Sequence, residues 1–212
     1  KFINIEGQKE LVSKNISVPS DLSSSAFFIV ATLINKNSNL TLKNININPT
    51  RDGILRSLIL MGAKIKIFNK RIINEELVAD LNIQSSKLHG CILDEEMAKL
   101  MIDEYPILSI AASFAKSPST FKGLGELKVK ESDRLKLIKL NLQNCGVNCI
   151  VKKNDLTIIP EKKNSIKNNI IRTDYDHRIA MSFAVMGSKL NQEIIIKGSD
   201  CIKTSFPSFI ES

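Results

Sequence analysis

Three stretches of the chain have almost no polar face when wound as helices: residues 22–34 (LSSSAFFIVATLI), 105–115 (YPILSIAASFA) and 179–186 (IAMSFAVM). A helix that is apolar all round has to be enclosed by other structure, so all three are expected inside a domain. Each leads into a β-rich run, LTLKNINI, STFKGLGEL and QEIIIKG in turn. After the first two runs come amphipathic helices closed by glycine, RDGILRSLILMG ending at Gly62 and SDRLKLIKLNLQNCG ending at Gly146. Glycine at such a place adopts the left-handed conformation that stops a helix. Strands are expected next at 63–67 and 147–151, with a further one at 155–159.

The pattern is an internal repeat, since Asp21 and Asp103 stand 82 positions apart and Gly62 and Gly146 stand 84 apart. A third unit starts at Asp176, and its outer helix is expected from about Phe206, close to the final Ser212. Closing strands for that unit are expected from another stretch of polypeptide, because native proteins avoid unpaired sheet edges. Residues 2–5 and 16–18 also read as strands, ahead of the first unit. The fold class is α/β, with buried helices wrapped by sheets and outer helices.

With 212 residues and 43% hydrophobic content, the chain can bury a sizeable core. Its longest apolar run, residues 26–34, is far shorter than the roughly 20 residues a membrane span needs. Cys91, Cys145, Cys149 and Cys201 lack CxxC spacing, and His89 and His177 are the only histidines. Neither a metal site nor a disulfide framework follows, and reduced thiols in the cytoplasm are expected. A net charge of +8 raises the possibility of a nucleic-acid surface. The lysines, however, are dispersed among Asn and Ile without aromatic interleaving, so solvated surface charge is the preferred reading and no nucleic-acid partner is expected.

Candidate chemistry sits at helix starts, where free N–H groups and the positive end of the dipole attract anions. Ser20 and Asp21 suit an N-cap of the first buried helix. Asp103 and Glu104 precede the second, where Pro106 fits the first turn, and cap and functional readings of Asp103 are evenly matched. In Asp176-His177-Arg178 the aspartate suits an N-cap, but a fixed cation beside the positive end of a helix is unfavourable. An anion bound there would resolve the conflict, as would an ion pair to a distant carboxylate. In Lys130-Glu131-Ser132-Asp133-Arg134, Ser132 is the expected N-cap and Asp133 a first-turn acid. A helix extending back to Lys130 would place Lys130 and Arg134 on one face, with Glu131 beside Arg134.

Six runs, VPSDLSSSAFF, NPTRDG, MIDEYPIL, VKESDRL, DHRIAMSF and TSFPSF, resemble in order and spacing the C-terminal half of the 5-enolpyruvylshikimate-3-phosphate (EPSP) synthases. The resemblance implies repeated βαβαββ units with three buried parallel helices, incomplete without strands from the N-terminal segment of such enzymes. It makes residues 1–18 the end of a preceding domain and hinge, and 19–212 the C-terminal-half domain. The implied activity is transfer of the enolpyruvyl group of phosphoenolpyruvate to the 5-hydroxyl of shikimate 3-phosphate, with release of phosphate and no cofactor or metal. About half of the enzyme is then present, expected to be inactive without the N-terminal half as partner. By the same resemblance Asp103 contacts the 5-hydroxyl as proton acceptor, Lys130 lies near it, and Glu131 protonates the phosphoenolpyruvate methylene. Arg134 and Arg178 bind the anionic groups of that substrate, with His177 adjacent. Rival readings are a UDP-N-acetylglucosamine enolpyruvyl transferase, against which the KESDR and DHRIAM runs argue, and a basic nucleic-acid-binding α/β module.

Overall fold

Each apolar stretch forms a helix whose flanking segments pair in parallel, strand with strand around the second and third helices and through a single bridge around the first, in the computed structural model, which describes residues 2–161 and 166–212. In the first unit, α1 (Leu22–Ile34) runs between Ser20, bridged in parallel to Ile45, and β1 (Asn39–Asn46). The outer helix α2 (Gly53–Leu60) follows, then the hairpin β2 (Lys64–Ile73) and β3 (Glu76–Gln84). The second unit comprises β4 (Ile92–Leu93), α3 (Glu95–Met101), α4 (Tyr105–Ser113), β5 (Ser119–Phe121), α5 (Arg134–Asn144), β6 (Asn148–Lys152) and β7 (Asp155–Ile159). The third comprises β8 (Ile170–Arg172), α6 (His177–Gly187) and β9 (Ile195–Lys197). Among the described residues the sheets are ordered β1-β3-β2, β4-β5-β7-β6 and β8-β9.

Gly62 (φ 87°) and Gly146 (φ 77°) both close their outer helices in the left-handed region, as the sequence requires. The central strand β3 carries a polar residue, Asp80, at its middle. β-Bulges in both neighbouring strands turn donors toward it: the Asn44 amide at 2.9 Å, the Asn69 side chain at 2.8 Å and Arg71 at 3.2 Å.

Helices α1, α4 and α6 pack on one another at the centre of one continuous core. They are parallel. Ser23, Glu104 and Arg178, from the three N-terminal ends, meet in one cluster. At the other end Asn35 donates to Ser188 across 3.0 Å, and Asn35, Phe114 and Lys189 line one concavity of about 710 Å³. Phe206 and Phe209 close the third unit onto the first by packing edgewise against Phe27 and Phe28. Among the described residues, no helix is long and apolar enough to cross a membrane.

Several local expectations need correction. Residues 2–18 carry no strand, because no neighbouring strand supplies a ladder there; Lys1 lies outside the described residues. Only residues 119–121 of STFKGLGEL pair in a sheet, and Leu124–Val129 winds as a 3-10 helix. In QEIIIKG only residues 195–197 form a strand. The third outer segment is a 3-10 helix at Ser199–Thr204, not an α-helix from Phe206, whose ring is instead drawn onto α1. The α5 N-cap is Asp133, which accepts from the Lys136 amide at 3.0 Å, so Ser132 is free for another partner and Lys130 lies outside the helix.

Candidate active site

The entrances of α4, α5 and α6 bring Asp103, Glu131 and Asp176 together around Arg134, whose side chain is fully buried. Residue 134 opens α5, and its guanidinium reaches inward to three carboxylates. Nε donates to Asp176 at 2.8 Å, Nη1 to Asp103 at 2.8 Å and Nη2 to Glu131 at 2.5 Å. Burial works against the charged guanidinium, but Asp176 first, then Glu131 and Asp103, outweigh it and hold the cation firmly. The two outer partners are accessible, Asp103 at 38% and Glu131 at 51% side-chain exposure, whereas Asp176 is completely enclosed.

Asp176 has two tasks. As N-cap of α6 it accepts from the Arg178 amide at 2.9 Å and weakly from that of Ile179. Its second oxygen takes the Arg134 bond and one from the Ser132 hydroxyl at 3.0 Å, which fastens the α5 entrance to the α6 entrance. Sequence reasoning assigned Asp176 only the cap, and Ser132 only a cap it does not make.

Asp103 and Glu104 do not cap α4: the N-cap residue Glu104 makes no side-chain capping bond, and both carboxylates turn to cations. Burial pushes the Asp103 carboxyl up, but Arg178, Lys130 and Arg134 together pull it below its ordinary value, so it is ionised at neutral pH. Lys130 lies 3.5 Å from Asp103 and 2.6 Å from Glu126; the bond to Glu126 is the main reason its ammonium is held more tightly than usual.

Arg178 resolves its position on the helix by pairing. Nη1 lies 3.5 Å from Glu104 and donates to the Asp103 carbonyl at 3.2 Å, leaving the side chain 18% exposed. Half-buried His177 is pushed below its ordinary value, by burial first and then by Arg178 and Arg134, against the opposing pull of Asp176 and Glu131. Its ring is therefore neutral near pH 7, and the α6 entrance carries one cation, not two. Lys203 is distant in character, exposed and 3.5 Å from Asp200. Among the described residues, no group of three His, Cys, Asp or Glu side chains has a metal-holding arrangement.

This set of parallel helix entrances converging on buried and half-buried charges can grip an anion and move protons beside it. The family model for EPSP synthase (3-phosphoshikimate 1-carboxyvinyltransferase) matches residues 1–212. The chain belongs to the EPSP synthase family. Among its relatives, the 3-phosphoshikimate 1-carboxyvinyltransferase of Petrotoga mobilis is 47% identical over 204 residues, covering 96% of this chain and 47% of that protein. That of Pseudomonas sp. (strain PG2982) is 44% identical over 213 residues, covering 100% and 47%. An EPSP synthase structure from Acinetobacter baumannii superposes with a TM-score of 0.89 at 38% identity, covering 96% of this chain and 47% of that one. The enolpyruvyl transferase NikO from Streptomyces tendae, at 13% identity and a TM-score of 0.63, shares the fold alone. The chain thus spans about half the length of the curated EPSP synthases it matches. Membership of this family does not favour the UDP-sugar transferase or the nucleic-acid-binding reading.

Proposed function

We propose that this chain forms one wall of an EPSP synthase active site, with the facing wall supplied by polypeptide beyond these residues. The observation that carries the reading is the charge cluster around Arg134, gathered where three parallel buried helices begin. Residues 1–18 then lead out of a second domain, and 19–212 form the half that carries these groups. The setting is the cytoplasm, in keeping with four unpaired cysteines.

In the proposed reaction the 5-hydroxyl oxygen of shikimate 3-phosphate bonds to C2 of phosphoenolpyruvate while C3 takes a proton. Ionised Asp103 accepts the hydroxyl proton, and the adjacent Lys130 ammonium offsets the charge developing on that oxygen. Glu131 delivers the proton to C3. As the anionic substrate arrives, it takes the place of Glu131 on Arg134 Nη2, which both anchors the substrate and releases the acid. Arg178 holds the second anionic group, and neutral His177 packs beside it. In the second stage C3 gives a proton back, the C2–O bond to phosphate breaks, and the enol ether and inorganic phosphate leave. No cofactor or metal has a part in these steps.

The test is phosphate release from the two substrates, with the N-terminal half of a family member supplied in trans. Release by the mixture, with neither half active alone, is the expected result. Turnover by this chain alone, or a folded mixture that releases phosphate with UDP-N-acetylglucosamine and not with shikimate 3-phosphate, overturns the reading.

A further inference from the structure

Glu104 places a carboxylate where none of the steps above uses one. It is only 5% exposed and caps no helix, although it stands at the N-cap of α4. Its Oε1 accepts from the Ser23 hydroxyl in the first turn of α1 and lies 3.5 Å from Arg178 Nη1 in the first turn of α6. One buried oxygen thereby joins the entrances of all three central helices. Enclosing a carboxylate is costly unless it is paired, and a glutamine or an apolar side chain would fill the space with a smaller penalty. Arg178 has a matching difficulty. It sits at the positive end of α6, which repels its charge, and carries the rotamer entropy of a long side chain, which favours swinging into solvent.

We infer that Glu104 is a positioning residue: it counters the α6 dipole and holds the Arg178 guanidinium with its free edge toward the anion of phosphoenolpyruvate. This inference rests on the enolpyruvyl-transfer reading and adds to it a residue that touches neither substrate. Arg178 Nη1, tied on one side to Glu104 and on the other to the Asp103 carbonyl at 3.2 Å, leaves the remaining donors for the ligand. Ser23 completes the arrangement by satisfying a carboxylate that would otherwise depend on Arg178 alone. Burial pushes the Glu104 carboxyl above its ordinary value, with Asp103 adding to this, while Ser23, Arg178 and Arg51 oppose it.

The experiment compares Glu104→Gln with Arg178→Lys. One readout is the guanidinium ¹⁵N–¹H signal of Arg178 in this chain, assigned by its loss in Arg178→Lys. The other is steady-state kinetics of the chain completed in trans. Glu104→Gln is isosteric and keeps the Ser23 contact, so its amide spectrum should match the parent. We expect the slowly exchanging Arg178 signal to be lost, KM for phosphoenolpyruvate to rise about tenfold, and KM for shikimate 3-phosphate to change less than twofold. Ser23→Ala should move the same two readouts in the same direction by a smaller factor. An unchanged Arg178 signal in Glu104→Gln overturns the inference, as does an equal rise in both KM values. A completed parent enzyme with no turnover condemns the reaction assignment instead, and the guanidinium signal still decides the positioning role.

Discussion

Replacing Arg134 by methionine tests the centre of the site without reference to turnover. The guanidinium makes three charge-assisted bonds, but they are unequal in weight. Asp103 and Glu131, 38% and 51% exposed, recover water when the cation goes, so each contributes only about 0–1 kcal/mol, as surface pairs do. Asp176 is fully enclosed, and breaking a buried pair costs about 3–5 kcal/mol because the other charge is stranded. Its remaining bonds to Ser132 and the α6 amides place it at the lower end of that range. The expected loss is about 4 kcal/mol, a large share of a typical domain stability of roughly 5–15 kcal/mol. With a urea dependence of about 2 kcal/mol per M, the unfolding midpoint should fall by about 2 M. Circular dichroism against urea at neutral pH measures this. Adding Asp176→Asn removes the stranded charge, so the double variant should recover at least about 1 kcal/mol relative to the sum of the single changes. A midpoint shift below about 0.5 M, or simple additivity, would refute the claim that Asp176 and Arg134 form the buried anchor.

Other consequences are open to measurement. Glu131→Gln in the completed enzyme should lower kcat by about 10²-fold with KM values within about threefold, as loss of a proton donor requires; unchanged kcat removes that role. Asp80 is held at about 2, chiefly by the Asn44 amide, then by Asn69 and Arg71, against 3.8 for a free carboxyl. A lowered folded value stabilises above the unfolded value and is lost as pH falls through the folded one, so the stability gap between parent and Asp80→Asn should narrow steeply from pH 4 to pH 2. A gap as wide at pH 2 as at pH 4 contradicts the assignment. A Cβ at Gly90 would stand 1.9 Å from the Pro118 carbonyl oxygen and 2.4 Å from that of Ser117, both backbone, so Gly90→Ala should cost about 2–3 kcal/mol. An unaltered urea midpoint would show that this crossing can relax.

The elements that could be read in advance are those whose reason for existing is local. α1, α4 and α6 lack a polar face, Gly62 and Gly146 stop their helices, and the recurrence of both exposes the repeat. Strand β3 was not read this way: Ala79, Leu81 and Ile83 alternate with Asp80 and Asn82, but buried Asp80 shares its face with buried Val78, which nothing in the strand itself explains. Asp80 is tolerated there only through donors delivered by bulges in two other strands. α3 was equally hidden, a seven-residue helix with an acidic first turn and only Ala98 and Met101 buried. Within the site, residue types at helix entrances pointed to the right places, but the partnerships did not follow from them.

Hydrophobic pattern, helix stops and motif order are written along the chain, so the amino-acid sequence by itself determined the α/β repeat, the family and the residues at which charge would gather. Which charges face which was decided in three dimensions. Arg134 and Asp176 are 42 residues apart in sequence, and Ser23 and Glu104 are 81 apart. Such pairs come together only because three helices pack in parallel with their entrances level, and a buried charge is stable only beside the partner that this packing brings to it.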